Sequence, residues 1–283
     1  MDIRFNHVDF SYKKINCTSK EVFNDLNITF ETGNIYGIVG KSGSGKTSLL
    51  ELINCYILPT NGNINIGNFT ITSDKNVNDI DALRFNIGYL FQNIDLQFFN
   101  KTIYEELSFN LIYYNYHTKD IEKRVKDSLK MVGLSEEYMY KQINTLSKGE
   151  KRLLSIASVL VHNPKVLLLD DPTIGLDGIG KDNLVRLIRL LKNRYHKTII
   201  IADNDIDFLY SIVDNIHVIY NGKIVLSGNK YDVFKKTKLL KEYGIMLPNL
   251  IEFSNKVLDK KGIKLGYRDD INDLIKDIYR NVK

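Results

Sequence analysis

Eight consecutive residues, Gly40-Lys41-Ser42-Gly43-Ser44-Gly45-Lys46-Thr47, carry the strongest chemical signal in the chain. They fit G-x-x-x-x-G-K-[ST], with the apolar run Ile35–Val39 before them and a helically spaced stretch, SLLELINCY, after them. Glycines let the backbone bend until successive N–H groups point inward and form an anion-binding nest. The following helix turns its positive N-terminal end toward the same spot. Lys46 would reach the outer phosphates as a point charge, and the Thr47 hydroxyl would fill one Mg²⁺ position. With Ser48, these residues form the candidate set for a nucleoside triphosphate and its Mg²⁺. A second group, Asp170, stands at the end of the apolar run Val166-Leu167-Leu168-Leu169. A run of that kind suits a strand buried on both faces of a parallel sheet. Its terminal carboxylate would hold Mg²⁺ through water, because Mg²⁺ dehydrates reluctantly.

These groups need elements to position them, and the periodicity supplies candidates. Residues 2–12 and 22–30 alternate at period two and read as antiparallel strands with one wet face. Asn61-Gly62-Asn63 and Gly67-Asn68 read as turn punctuation around a short strand, NINIG. From Thr102 to Leu134 the pattern is helical, closing at Gly133. Thr145 to Arg152 reads as a turn opening a helix, RLLSIASVL. Beyond Asp170 come a helix after Gly180, a strand Thr198–Ala202 and a hairpin, HVIYNGKIVLSG. The tail from Asn229 is Lys-rich and helical, broken at Gly244, Pro248, Gly262 and Gly266. The order implies an α/β fold with a helical subdomain.

Composition narrows the classes. The chain has 283 residues, 43% hydrophobic and 26% charged, which is ordinary globular usage. Its net charge of +5 is too mild and dispersed to argue for nucleic acid, so none is expected as a partner. Cys17 and Cys55 form neither a CxxC pair nor a Cys/His cluster, which removes zinc-site and disulfide-framework readings. No stretch approaches the ~18 apolar residues of a membrane span, and the opening MDIRFNHVDF has no signal-peptide core. A cytosolic protein is expected, able to sit on a membrane through partners.

The order of motifs resembles the ATP-binding cassette (ABC) ATPases. Tyr12 matches the adenine-stacking aromatic, although an ordinary strand tyrosine is the plain alternative. Gln92, following the strand NIGYL, matches the Q-loop glutamine that ligates Mg²⁺ and reports to a membrane partner. Ser147, Lys148, Gly149 and Glu150 match the signature, and Asp177 the D-loop. Leu90 to Asn110 (LFQNIDLQFFNKTIYEELSFN) is more narrowly similar to energy-coupling factor (ECF) and cobalt-transport ATPases, as are the opening strand and residues 229–262. The resemblance implies a P-loop ABC core with antiparallel β and α-helical subdomains. The cassette would span residues 1–228, with a helical subdomain near 93–160, and residues 229–283 would form a dimerisation extension. It also implies a second ATPase, a membrane coupling subunit, a vitamin- or metal-binding membrane subunit, and a peripheral place on the cytoplasmic membrane face. Leu96 to Phe99 would meet the coupling subunit. The aromatic run Ile112 to Tyr116 reads as core packing, and the basic tail as a solvated helix face.

Three departures bear on rate. The catalytic Glu expected after Asp170 is Asp171, the switch His is Asn204, and the signature reads Ser147-Lys148-Gly149-Glu150. Asp171 keeps a carboxylate but draws back by about 1 Å, a misplacement that can cost ~10²-fold. Asn204 can donate one hydrogen bond to a phosphate oxygen but cannot become cationic. His196, eight residues earlier, lies some 26 Å away along an extended chain and cannot stand in. Lys148 would add a cation at a partner's nucleotide and Glu150 would oppose it, unless both face solvent. Asp171, Gln92 and Asn204 are thus the expected catalytic set, and Thr47, Gln92 and Asp170 the expected Mg²⁺ set. Slow hydrolysis at this chain's own site is one expectation, and a non-hydrolytic regulatory subunit is the alternative.

Overall fold

Local sequence dictates most of the elements, as the computed structural model of the protein shows. It describes residues 1–12, 20–74, 79–263 and 265–281, so Cys17 lies outside the described residues. Along the chain run β1 (Ile3–Tyr12), β2 (Lys20–Phe30), β3 (Ile35–Gly40), α1 (Lys46–Ile53), β4 (Asn61–Ile66), β5 (Phe69–Ile71), α2 (Ile80–Asn86) and β6 (Ile87–Leu90). A helical section follows, with α3 (Ile103–Tyr113), α4 (Thr118–Met131) and α5 (Lys148–Leu160). The chain then returns through β7 (Val166–Asp170), α6 (Gly178–Tyr195), β8 (Thr198–Ala202), α7 (Ile206–Ile212), β9 (Asn215–Tyr220) and β10 (Lys223–Asn229). It closes with α8 (Lys230–Phe234), α9 (Thr237–Glu242), α10 (Asn249–Lys261) and α11 (Ile271–Asn281).

Two sheets result. An antiparallel sheet runs β2-β1-β4-β5, and a six-stranded sheet runs β10-β9-β3-β8-β7-β6. In the second, β9, β3, β8, β7 and β6 are parallel and β10 pairs antiparallel to β9. Every residue of β7 and β8 is buried, which is why both are continuous apolar runs. Strands β3 and β7 flank β8 and run parallel to it, delivering the glycine loop and Asp170 at the same end of the sheet.

One apolar cluster fills the space between the two sheets, joining Phe5, Phe23 and Phe30 to Leu49, Leu52 and Ile200. The other packs the helical section and α6 against the six-stranded sheet, and takes in Leu240, Ile245, Leu247 and Ile251 of the C-terminal extension. The extension is therefore anchored on the cassette by burial.

Two local expectations change. Asn61-Gly62-Asn63 is not a turn but the start of β4. Gly62 is there because a Cβ would fall 2.2 Å from the His7 carbonyl oxygen, where the β1–β4 register shifts between Asn6 and Asp9. The run Ile112 to Tyr116 is not uniformly core: Ile112 and Tyr113 are exposed at the end of α3, while Tyr114 and Tyr116 are half-buried.

Candidate nucleotide-binding site

The glycine loop turns between β3 and α1. Gly43 and Gly45 hold φ of +77° and +106°, conformations that L side chains adopt only with strain. At Gly45 a Cβ would also meet the Phe23 ring at 2.8 Å, so two independent constraints fix this glycine. The Lys41 carbonyl accepts from the Ser44 N–H at 3.0 Å, closing the turn. Lys46 is buried, and its ammonium donates to the Gly40 carbonyl at 2.9 Å. Burial draws its pKa down, against the pull of Asp171, Asp170 and Asp203.

Facing the loop, Thr47 Oγ1 donates to Asp170 Oδ2 at 2.8 Å. Burial pushes the Asp170 carboxyl up to about 6, although the Thr47 hydroxyl opposes the shift. Asp171 is buried with φ of +45° and is held on both oxygens. Gln92 Nε2 donates to Oδ2 at 2.6 Å, while the Asn204 backbone N–H and side-chain amide each donate to Oδ1 at 3.2 Å. Asn204 thus meets the Asp171 carboxylate directly, in addition to any phosphate contact its amide can make. Tyr12 hydrogen-bonds Ser48 Oγ at 3.0 Å and donates to Glu51 at 3.1 Å, which fixes its ring beside α1.

Tyr12, Ser42, Gly43, Gly45 to Ser48, Gln92, Asp170, Asp171 and Asn204 line one cavity of about 220 Å³, together with Lys20 and Val22. Lys41 does not join them. Its side chain lies over Gly244, while its backbone carbonyl closes the loop's turn. Ser147, Lys148, Gly149, Glu150 and Asp177 are not among the lining residues either. The signature segment lies instead against the turn at Gly175, where a Cβ on Gly149 would stand 3.6 Å from the Gly175 carbonyl.

Glu150 is held in place within its own chain. Ser147 and Glu150 form a reciprocal capping box on α5, and Glu150 Oε1 accepts from the Tyr138 hydroxyl at 2.7 Å. The spacing S-x-x-E ahead of an apolar helix was itself the signal for this. Asp177 caps α6 by accepting from the Gly180 N–H at 2.7 Å. Lys148 is exposed.

Arg152 has a role that its place in the sequence did not reveal. It is 1% exposed. Its guanidinium donates to the carbonyls of Phe91 (2.9 Å), Pro172 (3.2 Å), Asp170 (3.4 Å) and Asp171. One side chain of α5 thus ties the segment leading to Gln92 to the segment carrying both aspartates. Asp203 steadies the next turn, with Oδ2 accepting from the Thr173 hydroxyl at 2.8 Å and Oδ1 from the Asp205 N–H at 2.8 Å.

The donor set fits a magnesium-bound polyphosphate. Ser44 Oγ is buried without a hydrogen-bond partner among the described residues, and a Cβ at Gly43 would meet open space. An oxyanion satisfies such a loop. Thr47, Asp170 and Gln92 offer oxygen ligands, which Mg²⁺ requires, with phosphates completing the shell.

Known proteins resemble the chain over most of its length. Residues 23–174 match the ABC transporter family model. The energy-coupling factor transporter ATP-binding protein of Enterococcus faecalis is 33% identical over 92% of this chain and 90% of its own length. The protein of the same description from Clostridium acetobutylicum is 33% identical over 99% and 94%. Among solved structures, cbiO1 of Clostridium perfringens, described as part of the ABC transporter complex cbiONQ, superposes with a TM-score of 0.73. It shares 31% identity over 89% of this chain and 98% of its own. A dimeric ATP-binding cassette bound to ADP and Pi gives 0.74 at 26% identity, covering 80% and 98%.

Proposed function

Since the chain belongs to the ABC transporter family, among its energy-coupling factor ATP-binding proteins, we propose that it energises an ECF-type importer as one of two cassettes. One observation carries this reading: the glycine loop, the Thr47–Asp170 pair and the caged Asp171 all open into a single cavity. Lys46 would offset the charge of the outer phosphates, and Ser44 would gain the partner it lacks. Mg²⁺, held by Thr47, Asp170 and Gln92, would neutralise phosphate charge when bound. Asp171 would orient the attacking water and accept its proton, with Gln92 and Asn204 fixing the carboxylate's direction.

The site is proposed to turn over slowly. Both Asp171 oxygens already accept hydrogen bonds from neutral donors, and its side chain is one methylene shorter than the glutamate expected there. The same cage favours a second reading, a subunit that binds nucleotide without hydrolysing it and lends Ser147 and Gly149 to its partner's site. The partner is proposed to be a paralogous cassette. Residues 229–283 would assist pairing, and the exposed Leu96 and Phe99 would meet a membrane coupling subunit. The protein would then sit peripherally on the cytoplasmic membrane face, a place compatible with the finding that no described helix is long and apolar enough to cross a bilayer. The cargo, recognised by a separate membrane subunit, would be a vitamin or a metal ion.

The double substitution Asp171→Glu with Asn204→His separates the readings. In the assembled complex a rise of about 10²-fold in single-turnover hydrolysis at this site would mark a weakened catalytic arrangement. An unchanged rate would favour the binding module. If Lys46→Ala abolished turnover while the equivalent change in the partner cassette spared it, the assignment of the slow site to this chain would be wrong.

A further inference from the structure

The C-terminal extension touches two segments that lead into the nucleotide site, at points within six residues of chain. At the first, the backbone leaves α9 through Gly244, with φ of +71°. The Lys41 side chain lies directly on it: a Cβ at Gly244 would fall 2.2 Å from Lys41 Cε and 3.0 Å from Nζ. The Lys41 ammonium stands 5.9 Å from the centroid of the Tyr220 ring, which packs against Tyr243 of the extension at 5.0 Å. Lys41 is the second residue of the phosphate loop, and its carbonyl closes the loop's turn on Ser44.

At the second point, Asn249 opens α10 and grips Asp207. Its backbone N–H donates to Oδ1 at 2.7 Å and its side-chain amide to Oδ2 at 2.5 Å. Asp207 lies in the first turn of α7, three residues after Asn204, whose amide meets Asp171. Between the two grips, Ile245 and Leu247 are buried in the cassette core, so the segment is tied down along its length.

We propose that Gly244 and Asn249 are positioning residues for the nucleotide site, holding the phosphate loop through Lys41 and the Asn204 segment through Asp207. This rests on the nucleotide reading above and adds a linkage to it. A loop pre-ordered by the extension binds its ligand with less entropy left to lose. By reciprocity, nucleotide binding tightens the extension on the cassette.

The test uses the full chain with the non-hydrolysed analogue AMPPNP and Mg²⁺, read by calorimetry and by backbone hydrogen exchange. Gly244→Ala evicts the Lys41 side chain and should weaken binding about two- to tenfold, the range for releasing one ordered side chain. Gly262→Ala is the strain control, because Gly262 holds φ of +69° in the same extension with nothing among the described residues within 4 Å of its Cβ position. It should change affinity less than about twofold. Lys41→Ala should mimic Gly244→Ala, and the double variant should be no weaker than Lys41→Ala alone. The nucleotide should also slow exchange across residues 243–251 in the unsubstituted chain. Equal effects of Gly244→Ala and Gly262→Ala, additive effects of Gly244→Ala and Lys41→Ala, or an exchange response absent from 243–251 would each overturn the proposal. Failure of the unsubstituted chain to bind the analogue would instead strike the nucleotide reading, and this linkage with it.

Discussion

Arg152→Met removes the one guanidinium that joins α5 to both aspartate carbonyls. Four carbonyls lose their donor at once, those of Phe91, Asp170, Asp171 and Pro172. Each hydrogen bond to a charged donor is worth about 1.5–3 kcal/mol singly, but bonds that share one side chain do not add. Leaving a buried carbonyl without its donor costs about 1–3 kcal/mol, so four that share one lost donor should together cost about 3–5 kcal/mol. That is a large share of the roughly 5–15 kcal/mol that holds a domain folded. Arg152→Lys offers one ammonium in place of a planar fork and should recover only part of the loss. Urea titration followed by far-UV circular dichroism would measure both, with the midpoint shifting at constant slope. A loss below about 1 kcal/mol for Arg152→Met would refute the claim that this side chain holds the Gln92 and Asp170–Asp171 segments together. So would a Lys variant indistinguishable from the parent protein.

Two other substitutions test assignments made from geometry. Glu150→Ala should cost about 1 kcal/mol in thermal or urea stability, since it opens the capping box and orphans the Tyr138 hydroxyl. Glu150→Gln should cost less, because Gln also serves at that position; equal losses would argue against the cap. Lys197 is buried among the oxygens of Asn163 and Pro164, and burial lowers its pKa to about 8 from an ordinary 10.5. Folding therefore disfavours the charged form: the cost is fully present below pH 8 and fades as pH rises from 8 toward 10.5. The parent protein should gain up to about 3 kcal/mol over that window relative to Lys197→Met. Parallel stability profiles for the two proteins would contradict it.

The elements that carry phosphate chemistry were legible because local sequence alone dictates them. Glycines forced to positive φ, an apolar run too continuous for a half-wet strand, and a Lys-Thr pair opening a helix leave few alternatives. The long-range ties were not legible. Nothing in the spacing of Arg152 announces that it reaches carbonyls 61 and 20 residues distant. Gly244 reads as a helix stop, and it is one, but its second role depends on a lysine some 200 residues earlier folding over it. Asn204 was legible as a departure, yet its contact with Asp171 follows from β7 and β8 lying side by side. A glycine required by close approach, as Gly62 is, looks in sequence like a glycine required by a turn.

The aromatic surface beside Gln92 has a consequence for how the protein is made. Leu96 and Phe99 are 73% and 67% exposed, and Phe99 meets the half-exposed Phe109 edge-on at 5.1 Å. A surplus copy carries this greasy face uncovered, and such faces recruit chaperones, proteases and one another. If the proposed membrane coupling subunit covers that face, cells benefit from synthesising the two in step, and heterologous yields of the chain should rise on co-production with that subunit.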